Sequence, residues 1–368
     1  MSPGFKRRII FLDLMRALAV LMMVQGHTVD TFLADEFRTF NSIPYNIWLT
    51  LRGFTAPIFM FTSGVTFTYL LRLNKQLFFE NPRVWKGFRR FFILVTVGYL
   101  LRFPTPRMFD FTFVTHSQWL TFFTVDALHL IGFGILFILI LAYISERIHV
   151  SDYTVFAVGL MFFLFAYPIA DRIDWTNYMP IPFAAYMYQG TGSFFPLFPW
   201  VSYVIAGGIL GCYLAHNPDV HRSIKFTYRL FGFGGLIILF SFIINLIDQY
   251  ILGQGQDFFT DGFSLVLTRI GIVIILNGLM SFLSLRLNKI PEIIKSLGTN
   301  TLLIYAVHVV ILYGSAWIPG FGMFYPRTLN ILESVLAAIA LIILMTGLAW
   351  LVEFVKSYRK SKFAPVQI

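Results

Sequence analysis

The chain reads as an all-α polytopic membrane protein of about ten transmembrane helices with both termini in the cytoplasm. Three observations carry that reading. Only 12% of its 368 residues are charged while 57% are hydrophobic, and the mean hydropathy is +0.74; a soluble domain carries about twice that charge. Apolar runs of about 20 residues, the length a bilayer core requires, recur along the chain. Basic residues gather in alternate connecting segments, the pattern of loops retained on the inner face. The net charge of +10 is therefore an orientation signal rather than a nucleic-acid patch. The single cysteine, Cys212, closes no intramolecular disulfide.

The candidate spans fall at roughly 9–32, 48–71, 88–103, 124–144, 153–170, 195–215, 227–247, 263–285, 297–316 and 329–353. The first follows Lys6, Arg7 and Arg8. It resembles a signal sequence, but Asp13 and Arg16 interrupt the apolar core a cleaved signal needs, so it reads as a retained helix. The second is followed by Arg72, Lys75, Arg83, Lys86, Arg89 and Arg90. The third is short and ends at Arg102-Phe103-Pro104, leaving room for an interfacial helix around 108–123. The fourth ends before Arg147; Arg222 and Lys225 precede the seventh, and Arg229 lies at its start. The eighth and ninth are joined through Arg286, Lys289 and Lys295, and the tenth runs into Lys356, Arg359, Lys360 and Lys362. Opposite loops and their margins hold Arg38, Arg102, Arg107, Arg172 and Arg327, with Asp248, Asp257 and Asp261 in one of them. No internal repeat or soluble domain interrupts the pattern. A single membrane domain fills 1–368, with a core over 8–353 and a short tail over 354–368.

Ionisable residues inside such spans are costly unless they face a protein interior or a wet cavity. The first span holds three: Asp13, Arg16 and His27. Eleven residues make about three helical turns, so Arg16 and His27 share a face, roughly 16 Å apart along the axis. Asp13, one turn before Arg16, lies on that face too. By the loop charges, Asp13 and Arg16 sit in the inner half and His27 near the outer end. His129 and Asp126 open the fourth span from outside, His308 lies near mid-depth of the ninth, and Arg52 and Arg269 lie toward the outer ends of the second and eighth. Together these six, His27 included, make a candidate outward-facing ring. Each has a structural alternative: Arg52 and Arg269 can snorkel to headgroups, Asp126 can cap its helix, and His129 can be a packed, hydrogen-bonded histidine.

Metal binding fits poorly: no two histidines stand at helical ligand spacing, and cysteines and carboxylates are few. Ser63-Gly64 lacks a surrounding nucleophile elbow.

The segment Leu12-Asp13-Leu14-Met15-Arg16-Ala17, with His27 eleven residues after Arg16, resembles the first helix of the membrane acyltransferases. These comprise the type-3 acyltransferases and the heparan-α-glucosaminide N-acetyltransferase-like proteins. Further matches run in order: Ala56-Pro57-Ile58-Phe59, Leu128-His129-Leu130-Ile131-Gly132, Phe198-Pro199-Trp200 with Gly207 and Gly211, and Gly298-Thr299-Asn300 followed by Tyr305 and His308. The short loops are similar to bacterial relatives of the heparan branch. Ala17 departs from the family's usual glycine after the arginine, a small residue for a small one.

The resemblance implies acyl transfer, most simply of acetyl from acetyl-CoA or another acyl-CoA, to a hydroxyl or amine of a glycan or similar acceptor at a bacterial plasma membrane. Arg16 with Lys86, Arg89 and Arg90 would bind donor phosphates, beside Asp13. His27 would be base or acyl carrier, with His129, His308 and Asp126 as further catalytic candidates. Asn300 and Tyr305 would face the oxyanion or substrate, with Arg52, Arg269 and Trp200 as substrate contacts. No metal is implied, and oligomerisation is left open. The rival reading is a transporter or exporter of a small anion or lipid-linked sugar using the same buried cations. Against it, no paired broken helices mark two related halves.

Overall fold

Apolar sequence of bilayer length satisfies its backbone polar groups internally by becoming helix, and the described chain is helical nearly throughout. The structure is a computed structural model describing residues 9–73, 76–107, 109–250, 262–287 and 289–362. In chain order the helices are α1 (Ile10–Phe32), α2 (Ile43–Arg52), α3 (Thr55–Arg72), α4 (Pro82–Leu101), α5 (His116–Phe123), α6 (Ala127–Arg147), α7 (Asp152–Ala170), α8 (Ile181–Ala184), α9 (Leu197–His216), α10 (Ile224–Tyr250), α11 (Phe263–Arg286), α12 (Glu292–Thr299), α13 (Thr301–Tyr313) and α14 (Ile331–Lys362). Lys6, Arg7, Arg8, Lys75, Asp257 and Asp261 of the charge pattern lie outside the described residues.

Among the described residues, eight helical segments are long and apolar enough to cross a membrane, or nine if α12 and α13, bent by 76° at their junction, make one span. Every expected span coincides with a helix, and α5 occupies the segment read as interfacial. The expected third span becomes α4. It has 20 residues, but Arg83, Lys86, Arg89 and Arg90 in its first half set it apart from the apolar set.

The chain divides into two compact units: one combines residues up to Thr55 with those from Leu287 onward, and the other is Ala56–Arg286. In the first unit α1 packs against α12, α13 and α14, and its Phe11, Met15, Ala19, Val20 and Val24 are almost wholly buried. Gly298 of α12 comes so close to α1 that a Cβ there would lie 3.2 Å from the Asp13 carbonyl oxygen and 3.7 Å from Arg16 Cβ. Beyond α1, the Arg38 guanidinium donates to the carbonyls of Leu33 (2.9 Å), Asp30 (2.6 Å) and Val29 (3.2 Å). It thereby gives the Asp30 and Leu33 carbonyls at the helix end a partner, and shares the Val29 carbonyl with the Leu33 N–H.

In the second unit α6 packs on α4, α7 and α9, α7 packs on α9, and α10 and α11 form an antiparallel pair. Small residues let backbones meet, as helix packing in lipid favours. A Cβ on Gly64 of α3 would strike the Val204 carbonyl of α9, and one on Gly207 would strike the Phe61 carbonyl of α3.

Candidate active site

Two histidines meet in the first unit. His27, half-buried on α1, places Nδ1 3.0 Å from Nε2 of His308 on α13. His308 is fully buried, and its Nδ1 lies 2.7 Å from the Ile304 carbonyl oxygen. That oxygen can only accept, so His308 Nδ1 carries the proton and its Nε2 is an acceptor. His27 Nδ1 must then donate to it, which puts the lone pair of neutral His27 on Nε2. Tyr313 stands edge-on to His27 with ring centroids 5.8 Å apart, and Tyr305 stands edge-on to His308 at 5.7 Å.

One turn beyond His27, Asp30 forms an ion pair with Arg52 of α2. The Arg52 guanidinium stands 5.8 Å from the Trp48 ring centroid, and Trp48 Nε1 donates to Gln25 Oε1 at 2.9 Å. Gly26 makes room for the arginine stem, since a Cβ there would lie 3.5 Å from Arg52 Cγ. Asp30 was absent from the residues singled out in the sequence. Its place three residues after His27, on the same helical face, was the available signal.

At the other end of α1, Asp13 is buried and Arg16 half-buried, both against α12. Asn300 lies at the break between α12 and α13. Its Nδ2 donates to Glu353 Oε1 and to the Ser296 carbonyl, each at 3.0 Å, and its Oδ1 accepts from Lys356 Nζ at 3.1 Å.

The second unit holds the remaining candidates. Asp126 caps α6, accepting from the N–H groups of Leu128 (2.9 Å) and His129 (3.3 Å). Its Oδ1 also lies 2.9 Å from His129 Nδ1, and its Oδ2 3.6 Å from Arg102 Nε. His129 is wholly buried, with its Nε2 turned to Gly98 of α4, where a Cβ would lie 2.8 Å away. Tyr99 stands 4.4 Å from the same ring and its hydroxyl meets that of Tyr186 at 2.9 Å. Trp200 packs edge-on against Phe195 and tilted against Tyr203, at 4.7 and 5.6 Å; half-buried Arg269 faces the Tyr203 hydroxyl. Lys86, Arg89 and Arg90 lie on the exposed face of α4.

A further polar cluster was not foreseen. Arg72 of α3 pairs with Asp152 of α7, Ser145 donates to Asp152 at 2.7 Å, and His216 Nε2 lies 3.9 Å from the same carboxylate. With Glu146 and Tyr153 they line a cavity of about 490 Å³. These groups lie near the ends of four different helices, so no periodic pattern joins them in the sequence. Among the described residues, no group of three or more histidine, cysteine and carboxylate side chains is placed to hold a metal ion.

The first unit thus gathers His27, His308, Tyr305 and Arg52; the second gathers Asp126 with His129, and Trp200 and Arg269 around Tyr203. Eight or nine helical segments of membrane length among the described residues define a multi-pass integral membrane protein. Residues 9–354 match the type-3 acyltransferase family, described as an acyltransferase domain. The chain belongs to that family and is a multi-pass membrane acyltransferase. No curated protein matches it. Of the two branches it resembles, the match falls on the type-3 one.

Proposed function

We propose that the protein moves an acyl group, most simply acetyl, from acyl-CoA at the cytoplasmic face to a hydroxyl or amine of a sugar-containing acceptor, with His27 as the base. The observation that carries this is the chain of contacts from the Ile304 carbonyl through His308 to His27 Nδ1, at 2.7 and 3.0 Å. It directs the His27 lone pair to Nε2, the nitrogen away from His308. An acceptor hydroxyl is a weak nucleophile at neutral pH and needs such a base within hydrogen-bond reach.

In this reaction the acceptor O–H gives its proton to His27 Nε2 while its oxygen bonds to the thioester carbonyl carbon. The carbon–sulfur bond then breaks, and the departing CoA thiolate takes the proton back from the imidazolium. Acyl-CoA and acceptor become ester and free CoA, or amide and free CoA for an amine. Tyr305 and Tyr313, whose rings flank the histidine pair, are the donors we assign to the developing oxyanion. Arg16 is assigned to the donor's phosphates, and Arg52 with Asp30 to the polar wall beside the acceptor. Asp126 and His129 hold the start of α6. The loop charges support cytoplasmic termini, and the location we assign is a bacterial plasma membrane.

The test incubates purified protein with labelled acetyl-CoA and candidate glycans, followed by mass spectrometry of glycan and protein. Labelled glycan formed by the wild type and lost in His27→Ala supports the base. A label retained on His27 itself makes it an acyl carrier. Transport of an unmodified solute with no acyl product would replace the reading with the transporter.

A further inference from the structure

We infer that Glu353 and Lys356 of α14 are positioning residues for the histidine pair: they grip the Asn300 amide at the α12–α13 break and so set where His308 stands against His27. The inference rests on His27 as the base.

A break between helices leaves carbonyls of the first and N–H groups of the second without intrahelical partners. At Asn300 the backbone leaves helical geometry (φ −103°, ψ 28°) and its side chain forms no cap for α13. Instead the amide is tied at three points. The Ser296 carbonyl accepts both the Asn300 backbone N–H, at 3.1 Å, and Nδ2, at 3.0 Å. Glu353 takes the other direction of Nδ2 at 3.0 Å, and Lys356 donates to Oδ1 at 3.1 Å while also meeting Glu353 at 2.8 Å. Glu353 and Lys356 are three residues apart, so one face of α14 presents an acceptor and a donor side by side. Both bonds to the amide are charge-assisted, the stronger kind.

The leverage is long. From Asn300 to His308 is eight residues, about 12 Å of helix. A change of about 5° in the break angle moves His308 by about 1 Å at that radius. The His27–His308 contact is 3.0 Å, and lengthening it by about 1 Å abolishes it as a hydrogen bond. Losing it frees His27 to take the other tautomer, with the proton on Nε2 where the base must be. Displacements of about 1 Å at reacting groups cost on the order of 10²-fold in rate. The clamp therefore acts through His308, without touching the reacting atoms.

The test compares wild type with Glu353→Gln/Lys356→Met, with the exchanged pair Glu353→Lys/Lys356→Glu, and with the exchange on an Asn300→Asp background. Protein carrying ¹⁵N-histidine in nanodiscs reports the His27 tautomer, assigned by the signal missing in His27→Ala. In the wild type, His27 should read as protonated at Nδ1. In the double neutral variant that signature should give way to mixed tautomers, and kcat should fall about tenfold or more with donor KM unchanged. The exchanged pair should recover neither, because meeting the swapped charges would need the asparagine amide to turn over and set Oδ1 against the Ser296 carbonyl that Nδ2 serves; Asn300→Asp, lacking a donor, should not recover either, and a wild-type tautomer in the exchanged pair would overturn the inference. If the neutral variant fails to fold, the exchanged pair on the two backgrounds decides. An unchanged tautomer and kcat would overturn the inference. So would a loss confined to donor KM, which would make Lys356 a donor contact. If the wild type transfers no acyl group, the tautomer measurement still tests the clamp while the acyl-transfer reading fails separately.

Discussion

At the scale of single residues, the proposed chemistry depends on which nitrogen of His27 holds the proton. The Ile304 carbonyl directs it through His308. Two variants separate the roles. His27→Ala should lower turnover by about 10²–10⁴-fold with folding near normal, the usual contribution of a general base. His308→Ala should leave His27 in place but undirected, giving a smaller loss in kcat and little change in KM, read by steady-state kinetics. Wild-type turnover in both would remove the pair from the reaction. Arg16 is assigned to a different step. Arg16→Ala should weaken acyl-CoA binding more than acceptor binding, and Arg16→Lys should restore only part of it because the planar fork is lost. Calorimetry with CoA decides, and unchanged affinity in Arg16→Ala would leave the arginine as a partner of buried Asp13.

At the scale of elements, the second unit is held by backbone-to-backbone approach. Gly64→Ala or Gly207→Ala would each push a methyl into a facing carbonyl, an overpacking that typically costs about 1–3 kcal/mol. Either should lower the melting temperature in detergent, whereas Gly232→Ala, where nothing lies within 4 Å of the new methyl, should not. Gly98 is a special case on α4, since a Cβ there would meet the His129 ring at 2.5–2.9 Å. Gly98→Ala should displace the imidazole and weaken the α6 cap that Asp126 makes with it. Asp126→Ala should cost about 1 kcal/mol, as loss of a cap does, and lower thermal stability with little change in acceptor KM. A large loss of kcat in Asp126→Ala at unchanged stability would return Asp126 and His129 to the catalytic set.

At the scale of the whole molecule, the loop charges predict which segments face the cytoplasm. Cys212 is buried and is the single cysteine of the chain, so introduced thiols report topology on a silent background. Ser42→Cys, between α1 and α2, should label from outside intact cells with an impermeant maleimide; Ser223→Cys, between α9 and α10, should label only after the membrane is opened. The reverse pattern would invert the orientation. The same geometry predicts vectorial chemistry. Arg16 and His27 are about 16 Å apart along α1, comparable with an extended pantetheine arm on the order of 15–20 Å. Oriented vesicles given acetyl-CoA on the cytoplasmic face and acceptor on the other should form product on the far face without bulk CoA crossing. Product formed only when both substrates share the cytoplasmic face would sink the cross-membrane route.

The amino-acid sequence by itself determined the class of the fold and the helical segments, and it singled out the ionisable residues within them. These follow from local rules: apolar length sets a span, and a charge inside one marks a site. Arg16, His27 and His308 were legible for that reason, as was Asp126, whose place just ahead of an apolar run suited a cap. What the sequence left open was partnership across distance. That His308 lies against His27, 281 residues away in the chain, and that Asn300 is gripped by Glu353 and Lys356, depends on how α1, α13 and α14 pack. So does the pairing of Arg52 with Asp30, and of Arg72 with Asp152. Residues separated by that much chain meet only when helix packing brings them within a few ångströms, and periodicity along one helix holds no record of its neighbour's register. The tertiary structure decided the proton's place on His27 for the same reason: a tautomer is set by the hydrogen bond its other nitrogen makes, and that partner comes from a different helix.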